Sequence, residues 1–186
     1  MSLAYEAQQN SCKGARLKAM KGRRNAAALF ASAAVVWLIL DMASKAYFNS
    51  GQFALGQFIA GPFCGLFEFT LVHNTGAAWG IFGDSTFALG VFSLVMCIAI
   101  LGVFIYLSKD ISWVETLGIA LVFSGGIGNA IDRFNLSYVV DFINLSFMDF
   151  PVFNIADIGV TCGIVIFLVA FFVREFSAAK ESESCE

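Results

Sequence analysis

The sequence predicts an all-α membrane protein of four transmembrane helices carrying a small extracytoplasmic β-sheet or cradle. Three observations predict it. Hydrophobic residues make up 59% of the chain and charged residues only 13%, and the mean hydropathy of +0.78 exceeds what a soluble domain tolerates. Four stretches, about 26–47, 86–107, 112–132 and 155–176, approach the roughly 20 apolar residues that a spanning helix requires. The segment between the first two spans, 48–85, is rich in Phe and Gly and alternates in strand fashion around Phe67, Phe69 and Leu71.

The first span, AAALFASAAVVWLILDMASKAY, follows a run of basic residues as a cleaved leader would. It runs too long for one and lacks a small-residue cleavage site before a polar mature chain, so it is expected to stay in the mature protein. Lys13, Arg16, Lys18, Lys21, Arg23 and Arg24 crowd the segment before it, and Lys109 sits in the short turn between the second and third spans. Basic residues mark the cytoplasmic side, so both termini are expected in the cytoplasm, with Arg174 and Lys180 flanking the fourth span. The chain then divides into a basic cytoplasmic segment, 1–25, a transmembrane domain, 26–176, with outer segments 48–85 and 133–154, and a solvated, disordered tail, 177–186.

The basic cluster is explained as a topology signal lying against anionic lipid, and the net charge of −3 gives no reason to expect nucleic acid as a partner. Five scattered cysteines, Cys12, Cys64, Cys97, Cys162 and Cys185, form neither a disulfide framework nor a CxxC pair. A single histidine, His73, removes most metal sites and the usual serine or cysteine hydrolase, and reads best as a structural or loop residue. No metal or cofactor is expected.

The informative residues are the polar ones near the spans, because a charged side chain at the centre of a bilayer helix costs roughly 2.5–3.5 kcal/mol on insertion scales. Asp41 and Lys45 lie at the outer end of the first span, Asn129, Asp132 and Arg133 at the outer end of the third, and Asn154 and Asp157 at the outer start of the fourth. The topology brings all three groups to one level. Asp141 joins them from the apolar run YVVDFI in the outer connection, where burial should raise its pKa.

Each has an ordinary explanation. Asp41 and Lys45 have the i,i+4 spacing of an intrahelical ion pair, and this is the preferred role for them. Asp132 and Arg133 would mark the membrane interface, and Asn129 would hydrogen-bond between helices. Asn154 would cap the fourth span, with Asp157 as an acid at its third position. Asp141 is harder to dismiss, since an acid within VVDFI has no lysine or arginine near it in sequence. Two carboxylates at one dry site cannot both ionise readily, so one keeps its proton, and such a pair can activate water and protonate a leaving amine. That is aspartic-protease chemistry.

Five blocks, DMASK (41–45), NTGAAWGIF (74–82), GGIGNAIDR (125–133), VVDF (139–142) and FNIAD (153–157), occur in the order characteristic of one family. Over roughly residues 30–175 the chain resembles the type II signal peptidases, or lipoprotein signal peptidases. The resemblance implies an aspartic endopeptidase of the bacterial inner (cytoplasmic) membrane, which removes the signal peptide from prolipoproteins just before a diacylglyceryl-modified cysteine. The family is inhibited by the cyclic peptide globomycin. Carried over residue by residue, its catalytic aspartates fall on Asp141 and Asp157, and its substrate-binding or supporting residues on Asp41, Lys45, Asn74, Gly76, Asn129, Asp132, Arg133 and Asn154. Asn74 and Arg133 would offer donors to substrate, and Gly76, Ala77 and Ala78 would leave room for a lipidated peptide. The implied partners are a lipidated prolipoprotein and membrane lipid, with the protein acting as a monomer and its active site near the outer leaflet.

The chain departs from the family pattern in Trp79, where Phe is common after GAA, and in its somewhat long basic N-terminal segment. Two other classes remain to be weighed. A small transporter would also use intramembrane acids, but distributed through the membrane depth. A noncatalytic lipopeptide-binding scaffold would need Asn74 and Arg133 but no paired acids.

Overall fold

The structure is a computed structural model, and it describes the backbone of residues 2–76, 85–108 and 111–183, with side chains from 22 to 177 within those ranges. Expectations for Ala77, Ala78, Trp79 and Lys109, and for the side chains of Cys12, Lys13, Arg16, Lys18, Lys21, Lys180 and Cys185, lie outside the described residues.

The element order is α1 (Ser2–Phe48), β1 (Phe58–Phe63), β2 (Phe67–Asn74), α2 (Thr86–Leu107), α3 (Trp113–Leu136), β3 (Val139–Leu145) and α4 (Ile155–Glu183). Four helical segments, Gly22–Phe48, Thr86–Leu107, Trp113–Leu136 and Ile155–Ser177, are long and apolar enough to cross a membrane. The predicted spans therefore stand, with two differences at their ends. The basic N-terminal segment continues α1 rather than preceding it, and α4 runs to Glu183, so the backbone of 177–183 is helical where a disordered tail is expected from composition.

α3 is the central helix. In its apolar window 61% of residues are buried, against 17% in each of the other three spans. Its small residues explain the position, since lipid offers no hydrophobic drive between helices and close backbone approach must supply the packing. A Cβ on Gly118 would come within 2.8 Å of Gly163 O in α4, and one on Gly125 would collide with Ala156 O. On an adjoining face of α4, Gly159 lies against the Trp37 ring of α1, whose Nε1 donates to Ile155 O at 3.1 Å. At the end of the bundle away from Asp157, Ser112 and Glu115 form a reciprocal capping box at the start of α3.

The sheet is antiparallel, in the order β1-β2-β3. It draws on both outer segments, so the expected extracytoplasmic sheet gains its third strand from the YVVDFI run. Val72, His73 and Asn74 pair with Asp141, Val140 and Val139. Period-two alternation sends Val140 and Phe142 to one face, where they join a buried cluster with Phe48 and Leu71, and Phe142 stacks on Phe48 at 4.2 Å. Val139, Asp141 and Leu145 take the opposite face and line a cavity. Beyond β3 the chain folds back, and Phe153 and Ile143 exchange backbone hydrogen bonds, which delivers the chain to the start of α4.

Candidate active site

The polar groups that the sequence places at one level meet around a cavity of about 440 Å³, lined by Asn74, Asn129, Arg133, Asp141 and Asp157 together with an apolar wall that includes Val139, Phe150, Phe153 and Ile158. Each carboxylate in it is held by named donors. Asp141, 2% exposed, accepts at Oδ1 from Asn154 Nδ2 at 2.7 Å and at Oδ2 from Asn74 Nδ2 at 2.9 Å. Asp157 accepts at Oδ1 from Asn129 Nδ2 at 2.7 Å and at Oδ2 from the backbone N–H of Asn154 at 3.1 Å.

Asn154 is the joint of the arrangement. Its Oδ1 accepts from Asp157 N at 3.0 Å while Asp157 returns a bond to its own N–H, so the expected cap of α4 is present as a reciprocal box. Its amide nitrogen faces the other way, donating to Asp141 and to Asn129 Oδ1 at 3.1 Å. The capping role and the site role are therefore the same geometry. Burial, and after it the neighbouring Asp157 charge, pushes the Asp141 carboxyl up to about 7, while the amides of Asn74 and Asn154 and the Lys45 ammonium work in the opposite direction.

Arg133 reaches into the cavity from the last turns of α3. Its Nη1 donates to Asn129 O at 3.2 Å, its Nη2 lies 3.5 Å from Gly76 O, and its buried Nε has no hydrogen-bond partner among the described residues. Gly76 N is tied to Asn74 Oδ1 at 3.0 Å, so Asn74 fixes both the Asp141 carboxylate and the turn that follows β2.

Asp41 and Lys45 form the expected ion pair at 2.9 Å, fully buried in α1, but the pairing extends further than the spacing alone indicates. Lys45 also meets Asp132 at 3.1 Å and Asn129 Oδ1 at 2.9 Å. His73 is structural, as expected. Its ring stacks on Tyr138 at 3.8 Å and its Nε2 lies 2.8 Å from Asn49 Oδ1, outside the cavity lining. Thr161 and Cys162, which lie one turn along α4 from Asp157 and line the cavity, were not among the site residues expected from sequence, nor was the segment Phe150, Pro151 and Val152. Helical i+4 spacing from Asp157 was the available signal for Thr161.

The family model for signal peptidase (SPase) II matches residues 33–173. The chain belongs to the signal peptidase II family. A lipoprotein signal peptidase of Nostoc punctiforme is 38% identical over 151 residues, covering 78% of this chain and 90% of that protein. The lipoprotein signal peptidase of Lactobacillus gasseri is 40% identical over 112 residues, 60% of this chain and 72% of the relative. Two solved structures described as bacterial membrane enzymes superpose with TM-scores of 0.67 and 0.65 at 32% and 31% identity, covering 77% and 76% of this chain and 87% and 91% of theirs. Signal peptidase II membership agrees with the four spans, the small sheet and the cluster of acids at one end of the bundle, and makes the chain a protease of lipoprotein signal-peptidase type.

Proposed function

We propose that this chain is an aspartic endopeptidase that removes the signal peptide of a lipidated prolipoprotein, cutting N-terminal to the diacylglyceryl-modified cysteine with Asp141 and Asp157 as the catalytic dyad. The observation that carries this is the pair of carboxylates on one cavity, one strongly buried, joined through Asn154. Burial, with the neighbouring Asp157 charge, lets Asp141 keep its proton up to about neutral pH. Asp157 sits in the first turn of α4, where unpaired backbone N–H groups favour negative charge.

In this mechanism Asp157 takes a proton from a water placed between the two carboxyls, and the water oxygen attacks the scissile carbonyl. The Asp141 proton meets the charge developing on the carbonyl oxygen. Collapse of the tetrahedral intermediate breaks the C–N bond, and the proton held by Asp157 passes to the leaving amine. No covalent acyl-enzyme forms. Arg133 and Asn74 line the cavity as sources of donors for the substrate backbone or lipid carbonyls, and the apolar wall suits a lipid-bearing substrate. Two carboxylates with separate donors, rather than acids spread along a path, favour hydrolysis over transport.

In the cell the protein would be a multi-pass protein of the bacterial inner membrane, with both termini cytoplasmic and the site near the outer leaflet. The enzyme is read as acting as a monomer. The test is cleavage of a diacylglyceryl-modified prolipoprotein by purified, membrane-inserted wild type, Asp141→Asn and Asp157→Asn. Loss of turnover by about 10³-fold or more is expected for each, the scale seen when a proton-transfer group is removed. Near-normal turnover by either variant sinks the dyad.

A further inference from the structure

Lys45 has a position that an intrahelical ion pair does not explain. Its ammonium is 3% exposed and meets three acceptors at once: Asp41 Oδ2 at 2.9 Å, Asp132 Oδ2 at 3.1 Å and Asn129 Oδ1 at 2.9 Å. Of the three N–H donors of an ammonium, one is hydrogen-bonded to Asn129 Oδ1, and both carboxylates lie within ion-pair distance of the same nitrogen. Each acceptor residue also holds something else. Asp41 Oδ1 accepts from Ala156 N at 2.9 Å, the backbone group immediately before Asp157. Asp132 Oδ2 accepts from Val140 N at 3.1 Å, the backbone group immediately before Asp141. Asn129 donates to the Asp157 carboxylate itself at 2.7 Å.

We propose that Lys45 is a positioning residue for the reaction, a single buried ammonium that sets the spacing of the two aspartates by tying the backbone on the N-terminal side of each to α1 and α3. The inference rests on the dyad proposed above and adds to it the part that fixes its geometry. Ala156 N is one of the first-turn N–H groups of α4 that have no partner within the helix, so a side chain from outside must receive it, and Asp41 does so from 115 residues away. Val140 N is held from α3 by Asp132. Without the ammonium these two carboxylates, 0% and 5% exposed, would be unpaired buried charges that could no longer hold their places.

A second feature supports the arrangement. A Cβ on Gly128 would collide with Asp41 Oδ2, so glycine at that position is what lets the carboxylate lie between α1 and α3. The three acceptors surround one point, which suits a compact ammonium and not the planar fork of a guanidinium. Lys45→Arg is therefore expected to fail as a replacement.

The test uses the full-length protein in membranes or micelles with a diacylglyceryl-modified prolipoprotein, measuring kcat, KM, the pH–rate profile and thermal stability together. For Lys45→Met, kcat is expected to fall by at least about 10²-fold with KM little changed, the scale of loss for reacting groups displaced by about 1 Å. The charges facing Asp141 are Asp157 from α4, Lys45 from α1 and Arg133 from α3, with the Asn74 and Asn154 amides against it. Removing the Lys45 cation disfavours ionisation of Asp141, so the limb of the profile set by Asp141 should move to higher pH.

Asp132→Asn keeps an acceptor for Val140 N and loses the charge that draws Lys45. It should lower kcat by about 10-fold, in the range of lost supporting interactions, with the profile moving to lower pH because an anion is removed while the Lys45 cation stays, and it carries the test if Lys45→Met does not fold. A lysine that only held the bundle together would reduce the folded fraction and leave the pH profile of the remaining activity unmoved. That result, or wild-type kcat in Lys45→Met, overturns the inference. Asp141→Asn and Asp157→Asn run alongside: turnover by either removes the dyad itself, whereas inactivity of both with normal Lys45→Met turnover removes only the role of Lys45.

Discussion

Replacing Asp141 by Asn should abolish cleavage and at the same time stabilise the protein at neutral and alkaline pH. Asp141 is 2% exposed, and burial with the Asp157 charge raises its carboxyl from 3.8 to about 7. A raised carboxyl contributes stability that is fully present below its unfolded value and is lost as pH rises to the folded value, because over that interval the folded state binds the extra proton. The interval spans about three pKa units, which at 1.36 kcal/mol each makes about 4 kcal/mol. Asn has no proton to lose and lacks this dependence. It does set an NH2 group against one of two donors, Asn74 Nδ2 or Asn154 Nδ2, which costs about 1–3 kcal/mol at every pH.

The difference in stability between Asp141→Asn and wild type should therefore grow by about 4 kcal/mol from about pH 4 to about pH 8, and end with the variant the more stable by about 1–3 kcal/mol. Thermal unfolding of purified protein in one detergent, followed by Trp fluorescence across that range, reads it directly. At about 2–4 °C per kcal/mol for a chain of this length, the change is several degrees or more. Parallel Tm–pH curves for the two proteins would refute both the buried, proton-bearing Asp141 and the mechanism that uses its proton.

Other expectations follow from the same contacts. Gly118→Ala places a methyl 2.8 Å from Gly163 O and Phe167 N, so α3 and α4 must separate; a loss of about 1–3 kcal/mol in thermal stability is expected, and none would mean that the helices do not meet there. Arg174→Met leaves Glu115, 1% exposed, without its 3.1 Å ion-pair partner, which is itself 38% exposed, and should destabilise by about 1–3 kcal/mol through a group remote from the cavity, leaving kcat of the folded fraction unchanged. Asn74→Ala removes a donor to Asp141 Oδ2 and the acceptor of Gly76 N, and should lower kcat/KM by about 10²-fold, the scale for one oriented donor at a reacting site, in the prolipoprotein cleavage assay.

The sequence by itself determined the class, the four spans and the gathering of acids and amides at one end of the bundle, because hydropathy and the cost of intramembrane charge act locally along the chain. The Asp41–Lys45 pair and the Asn154–Asp157 cap were legible for the same reason, each lying within one helical turn. Pairing over distance was not. That Asp132 receives Val140 N, that Asp41 receives Ala156 N, and that Asn154 turns its amide to Asp141 follow from how α1, α3, β3 and α4 dock, with no spacing rule to announce them. Glu115 and Arg174 meet across 59 residues, and read along the chain they are no more than the charged ends of two spans. Local periodicity fixes which side chains reach one level of a membrane, while only the close approach of small residues between helices decides which of those side chains touch.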